Sequence, residues 1–206
     1  MVGNIHLISF LNFFQVAVKR YTVALVAGTP ALDTVRILGA SGAPQEIYTV
    51  QKGTTVKEGC FISYYPDGKV GVESTYRNGK LDGTFKSYYA SGSLWQEVSY
   101  AAGVEQGESR LYYENGNLKN REVYESGVPN GLFKEWDENG TLRSEFPYVN
   151  GRVNGIARMY DADGLLSEDL ELVNGIREGV YHKYKKGIVV HTAKFHRNRC
   201  VENCEF

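Results

Sequence analysis

The chain has 206 residues, a formal net charge of −1 and three cysteines. A near-neutral balance excludes bulk electrostatic attraction to DNA, RNA or an anionic membrane. Three cysteines are too few for a disulfide framework, so a reducing, cytoplasmic compartment is expected. Against 5 prolines stand 23 glycines and 15 tyrosines, a balance that suits many short strands joined by glycine turns.

In chain order, the first feature is the apolar run from Ile5 to Val18, broken only by His6, Ser9, Asn12 and Gln15 and followed by Lys19-Arg20. A membrane span needs about 20 apolar residues. A secretory signal carries its positive charge before the apolar run, not after it. The segment is therefore expected to be a buried first helix or strand, with membrane association or export as the competing readings. Residues 1–58 are read as an N-terminal capping segment. Within it, Ile47–Val50 and Val56-Lys57-Glu58 resemble the second half of a repeat.

That repeat dominates the rest. Glycines fall every 24 residues at Gly59, Gly83, Gly107, Gly131, Gly155 and Gly179. Counting each opening glycine as position zero, position five is aromatic: Tyr64, Tyr88, Tyr112, Trp136 and Tyr160. Position nine is again glycine, as Gly68, Gly92, Gly116, Gly140 and Gly164. So is position twenty, from Gly79 to Gly175. Such a period is the signature of a repeat array, which offers a partner an extended surface more readily than it builds a deep catalytic pocket.

Each unit reads as one β-hairpin. In the unit opened by Gly83, Thr84–Ala90 is the first strand, Ser91-Gly92 the turn and Ser93–Tyr100 the second strand. Asp67-Gly68, Asn115-Gly116, Asn139-Gly140 and Asp163-Gly164 match a two-residue type I′ turn, whose central residues both take positive φ. Such a turn places position three opposite position fourteen. Those positions hold Lys86 and Glu97, Lys134 and Glu145, and Arg158 and Asp169, all of opposite sign. Arg110 opposite Arg121 breaks the rule, with Glu122 next door.

Alternation then assigns faces. Phe61, Phe85 and Phe133 share one face with Val70, Leu94, Leu118, Leu142 and Leu166, and with Tyr76, Tyr100, Tyr124 and Tyr148. The position-five aromatics and the charged pairs take the other. With Trp95 expected across from Tyr88, the residues Tyr64, Tyr88, Trp95, Tyr112, Trp136 and Tyr160 form an exposed aromatic ridge, larger than a monomer usually tolerates and rich in hot-spot residue types. They are the candidate partner-binding residues.

The sixth unit keeps Tyr184 and Phe195 but shortens its turn around Gly187, as a terminal capping unit does. The array is thus expected over 59–198, with 199–206 as a tail. In the tail region, His191, His196, Cys200 and Cys204 lie at irregular spacing and read as incidental, with no metal expected. The column Lys86, Arg110, Lys134, Arg158 and His182 reads as a salt-bridge ladder, not a phosphate stripe. No phosphate loop, Gly-x-Ser-x-Gly elbow or His-Glu-x-x-His motif occurs, so neither enzymatic activity nor a cofactor is expected.

Stretches such as Tyr112-Tyr113-Glu114-Asn115-Gly116-Asn117-Leu118-Lys119 and Trp136-Asp137-Glu138-Asn139-Gly140-Thr141-Leu142-Arg143 resemble the MORN repeat, in the variant form common in bacteria and large DNA viruses. The resemblance covers Gly59 to Phe195. It implies an all-β array of tandem hairpins in one long twisted antiparallel sheet. It also implies a non-enzymatic protein-binding role, either antitoxin-like neutralisation of a toxin partner or a scaffold or membrane-peripheral tether.

Overall fold

A computed structural model of the protein describes residues 18–22, in backbone only, and residues 31–205. The capping helix or strand expected from Ile5 onward lies almost wholly outside the described residues. What is described is all-β: one antiparallel sheet of 19 strands. Each strand pairs with its neighbours in the chain, so the sheet is a plain meander. It begins at Val18–Thr22 against Leu32–Leu38 and ends at Arg199–Glu202 against Ile188–His196.

The array starts earlier than its glycine register suggests. Leu32–Leu38 and Pro44–Gln51 form a complete hairpin, with Val35 opposite Tyr48 as Phe85 is opposite Val98. Its loop glycine is Gly42 and its connector glycine Gly53, both with positive φ. Two extra connector residues before Gly59 shift the spacing and hide this unit from a strict 24-residue count. At the other end, the described part of the expected 199–206 tail is not loose: Arg199–Glu202 adds a strand, and a disulfide joins Cys200 to Cys204. A bond of this kind persists where thiols are not kept reduced.

The turns are the second correction. Around Ser91-Gly92 the loop has three residues, not two. Gly92 N–H donates to the Tyr89 carbonyl at 2.8 Å, and Tyr89 N–H to the Ser93 carbonyl at 2.9 Å. Only the glycine, at φ 97°, is left-handed there. This is a type I turn followed by a glycine bulge. True two-residue type I′ turns lie at the opposite edge of the sheet. Asn78-Gly79, Ala102-Gly103, Ser126-Gly127, Asn150-Gly151 and Asn174-Gly175 all have positive φ at both residues.

The predicted register nevertheless holds: Lys86 faces Glu97, Arg110 faces Arg121, Lys134 faces Glu145 and Arg158 faces Asp169. Two departures cancel. The extra loop residue shifts the second strand by one, and a bulge at position twelve shifts it back, so Ser87 pairs with Gln96 while Tyr88 pairs with Leu94. Between loop and bulge the parity is reversed. Leu94, Leu118, Leu142 and Leu166 therefore share a face with Tyr88, Tyr112, Trp136 and Tyr160, opposite to the expected assignment. Trp95, the bulged residue, is not across from Tyr88. Its ring neighbour is Tyr89, 6.4 Å away on the other face.

A single sheet must bury side chains against one another. On the face of the phenylalanines and position-seventeen tyrosines, small residues sit among large rings. Val98 is 1% exposed and Ala157 2%, while Phe85 meets Tyr100 and Phe133 meets both Phe146 and Tyr148 at 6.0–6.5 Å. This aromatic face is the core of the array.

Candidate functional site

The opposite face carries two parallel rows. The first is the charge row, continuous from hairpin to hairpin because position fourteen also pairs with position three of the next unit, as Glu97 does with Arg110 and Glu145 with Arg158. Lys86 Nζ lies 3.4 Å from Glu97, Arg110 3.1 Å from the same carboxylate, and Lys134 2.6 Å from Glu145. His182 Nδ1 stands 2.8 Å from Asp169. Partly exposed pairs of this kind contribute about 0–1 kcal/mol each. The Arg110–Arg121 clash is relieved by Glu108, whose carboxylate reaches both guanidinium groups. Glu122 takes no part, for it lies on the aromatic face and accepts from the Tyr124 hydroxyl.

The second row alternates position-five aromatics with position-eleven aliphatics: Tyr64 with Val70, Tyr88 with Leu94, Tyr112 with Leu118, Trp136 with Leu142, Tyr160 with Leu166. Five of the six predicted binding residues are thus aligned on one face, and Trp95 alone is not. All five are half-buried and do not form a protruding ridge. Trp95 is 42% exposed.

The two rows are tied together. The Tyr88 hydroxyl donates to Glu73 at 2.8 Å, Tyr160 to Glu145 at 2.8 Å and Tyr184 to Asp169 at 2.7 Å, each acid lying fifteen residues earlier. Burial first, then the adjacent carboxylate, pushes the Tyr88 and Tyr160 hydroxyls up to about 12. For Glu145, burial alone would raise the pKa. The Lys134 ammonium and the Tyr160 hydroxyl outweigh it and hold the carboxyl below its ordinary value.

Two further columns were not anticipated. At position six, Tyr65, Tyr89 and Tyr113 donate their hydroxyls to the backbone carbonyls of Tyr88, Tyr112 and Trp136 in the next hairpin, the last two at 2.8 and 2.9 Å. At position twenty-three, a polar side chain accepts from an amide one turn on. Glu58 holds Asn78 N–H, Asp82 holds Ala102 N–H and Gln106 holds Ser126 N–H, at 2.7–3.1 Å. The signal in the sequence was the recurrence of these residue types, but which hairpin each reaches is a property of the sheet.

The aromatic face carries a cavity of about 270 Å³ near its C-terminal end, lined by Met159, Leu170, Arg177, Tyr181 and Phe195 among others. The histidines and cysteines of that end are occupied separately. His196 Nδ1 lies 2.7 Å from Glu178, His191 packs against Tyr181, and the two cysteines are bonded to each other.

A meander of glycine-punctuated hairpins in one open layer, with period-24 columns on both faces, defines a β-hairpin repeat array. The family model described as the MORN repeat variant matches four stretches of it in tandem, residues 57–78, 81–102, 105–126 and 129–150. Over residues 57–150 the chain is thus similar to tandem MORN repeats of the variant type, and the hairpins on either side continue the same geometry. No curated protein matches the chain.

Proposed function

We propose that the array is a non-enzymatic protein-binding module that docks its partner along the charge-row face, over the row formed by Tyr64, Tyr88, Tyr112, Trp136 and Tyr160. The observation that carries this reading is the half-buried row of alternating rings and aliphatics, covered by none of the described residues, beside a continuous strip of charges. Apolar anchors flanked by polar groups are what a protein interface uses, and tyrosine and tryptophan are enriched among its hot spots. Antitoxin-like neutralisation is the finer form of this reading. It is tested by co-expressing the array with any toxin-like protein encoded beside it and measuring growth.

The general reading is tested by affinity capture from cells, followed by reconstitution with each purified captured protein. The Tyr112→Ala, Trp136→Ala double variant is compared with the wild type after circular dichroism has shown both to be folded. At least one of the two rings should contribute about 2 kcal/mol on truncation. Undiminished binding by a folded double variant would leave the row as sheet packing alone and reject the reading.

A further inference from the structure

The charge row keeps its order of signs except at one place. Position fourteen is an acid in four hairpins, Glu73, Glu97, Glu145 and Asp169, and Arg121 in the hairpin opened by Gly107. Arg121 pairs with Arg110 in its own hairpin and with Lys134 in the next, so three cations stand side by side. Glu108 serves Arg110 and Arg121, Glu97 is shared by Lys86 and Arg110, and Glu145 holds Lys134. Every other cation of the row faces an acid across at least one of its two seams, whereas Arg121 faces only Arg110 and Lys134. Arg110 and Arg121 remain 39% and 38% exposed and can be reached from solvent.

The neighbouring row departs in step. Tyr88, Tyr160 and Tyr184 each give a hydroxyl to the acid fifteen residues earlier. Fifteen residues before Trp136 is Arg121, and there the ring is an indole with no hydroxyl to give. The seam between the hairpins opened by Gly107 and Gly131 has therefore lost both the acid of the first and the phenol of the second that binds it, and has gained a guanidinium and a tryptophan in their place. Arginine and tryptophan are both enriched among interface hot spots, and a guanidinium fork matches a carboxylate.

We propose that this break in the row is the docking point for an acidic side chain of the protein partner. Its carboxylate enters between Arg121 and Lys134, where position fourteen supplies an acid elsewhere, and its methylene stem lies on the Trp136 indole. A guanidinium presents a planar fork of donors that matches a carboxylate with two parallel hydrogen bonds. This proposal rests on the protein-binding reading and names the chemistry of the partner at one site.

The protein holds two tryptophans, on opposite faces of the sheet, so its indole N–H signals form a probe and a control. Full-length protein labelled with nitrogen-15 is titrated with hexaglutamate, with inorganic phosphate, and with vesicles of phosphatidylcholine containing phosphatidylserine. Hexaglutamate should shift the Trp136 signal saturably and leave Trp95 in place. Arg121→Glu restores the alternation of signs, and in a variant that circular dichroism shows to be folded it should weaken the titration by about tenfold or more, as loss of a close interfacial charge pair does. The proposal is overturned if Trp136 does not shift, or if Arg121→Glu binds hexaglutamate as well as the wild type. It is overturned equally if phosphate or the vesicles shift Trp136 as strongly as the peptide, which would make the break a site for any phosphate or a lipid headgroup. Capture that survives Arg121→Glu but not the double alanine variant would reject this site and leave the protein-binding reading standing.

Discussion

The hairpins opened by Gly59, Gly83 and Gly107 and those opened by Gly131 and Gly155 share one backbone but spend position six differently. In the first group Tyr65, Tyr89 and Tyr113 reach forward and staple each hairpin to the next. In the second, Asp137 and Asp161 turn back on their own loops. The Asp137 carboxylate accepts from Asn139 and Thr141 N–H at 2.9 Å, and Asp161 from Asp163 and Leu165 N–H at 3.0 and 2.9 Å. Position twelve follows suit. Trp95 and Lys119 lie on the tyrosines, at 6.4 Å between rings and 5.4 Å from ammonium to ring, while Arg143 pairs with Asp137 at 2.6 Å and also donates to the Asp161 carbonyl of the next hairpin. Neighbouring hairpins can thus be joined by a tyrosine hydroxyl or by the Arg143 guanidinium, while position-six aspartates brace their own loops, and the two solutions should differ in cooperativity.

The largest test strikes the seam between the two groups. Gly131 has φ 143°, and a Cβ there would sit 2.9 Å from Val123 Cβ. Gly131→Val should cost about 3 kcal/mol or more, since left-handed strain and overpacking add. Gly116→Val has open space around it and should cost only the backbone strain, about 1–2 kcal/mol. Urea melts of the two variants compare them, and equal losses would show that the close approach to Val123 is relieved at no cost.

The next test addresses the staples. Tyr89→Phe should cost about 1 kcal/mol, the net worth of one hydrogen bond. Its effect should appear as faster amide exchange in the following hairpin, around Tyr112 and Tyr113. Asp137→Ala should speed exchange within its own loop, at Asn139 and Thr141, and leave the next hairpin unchanged. Identical exchange patterns would erase the distinction between the groups.

Acid and alkali sharpen it further. The N–H groups of Thr141 and then Asn139, with the Arg143 guanidinium, hold the Asp137 carboxyl below its ordinary 3.8 against the effect of burial. A depressed carboxyl stabilises the fold above the unfolded value and ceases to as pH falls through the folded one. The Gly131 hairpin should therefore loosen in acid below about pH 4. Tyr113 is raised above 10.0 by burial and then by Glu135, Glu138 and Asp137. Its contribution is full below 10 and fades as pH rises through the raised value, so alkali should release the Tyr113 staple. Amide shifts at Thr141 in acid, and tyrosinate absorbance read with amide shifts near Trp136 in alkali, check the two arms. The smallest effect is expected at Lys86→Gln, a few tenths of a kcal/mol at about half-exposed charges, and removable by salt.

Much of this architecture was legible in the residues and some of it was not. The pairing of Lys86 with Glu97 could be read because charge complementarity records register directly. The turn type could not, because one extra loop residue and one bulge leave the distant register unchanged. The same bulge sent Leu94 to the face of Tyr88 and Trp95 away from it, since alternation inverts at any inserted residue. Of the hairpin at Leu32–Gln51 only the second half, at Ile47–Val50, was legible, because its connector is two residues longer and puts its first strand out of register. Tyr64, Tyr88, Tyr112, Trp136 and Tyr160 share a face because they precede the bulge in every unit, and Trp95 leaves it because it is the bulge. What no single unit could disclose was the reach of Tyr89 to the Tyr112 carbonyl, which belongs to the spacing of neighbouring hairpins.

Every strand described is hydrogen-bonded within its own hairpin or to the adjoining one, so the two ends of the array sit at opposite edges of the sheet. Antiparallel hydrogen bonds run perpendicular to the strands. A pull applied between the ends therefore acts along those bonds and loads them one rung at a time, as in opening a zipper. The array should yield at low force, one hairpin after another, each releasing about 80 Å of extended chain at about 3.4 Å per residue. Where Tyr65, Tyr89 and Tyr113 staple a hairpin to the next, neighbouring steps should merge. The C-terminal half should extend in single steps, like a ratcheted tape beside a stiffer one.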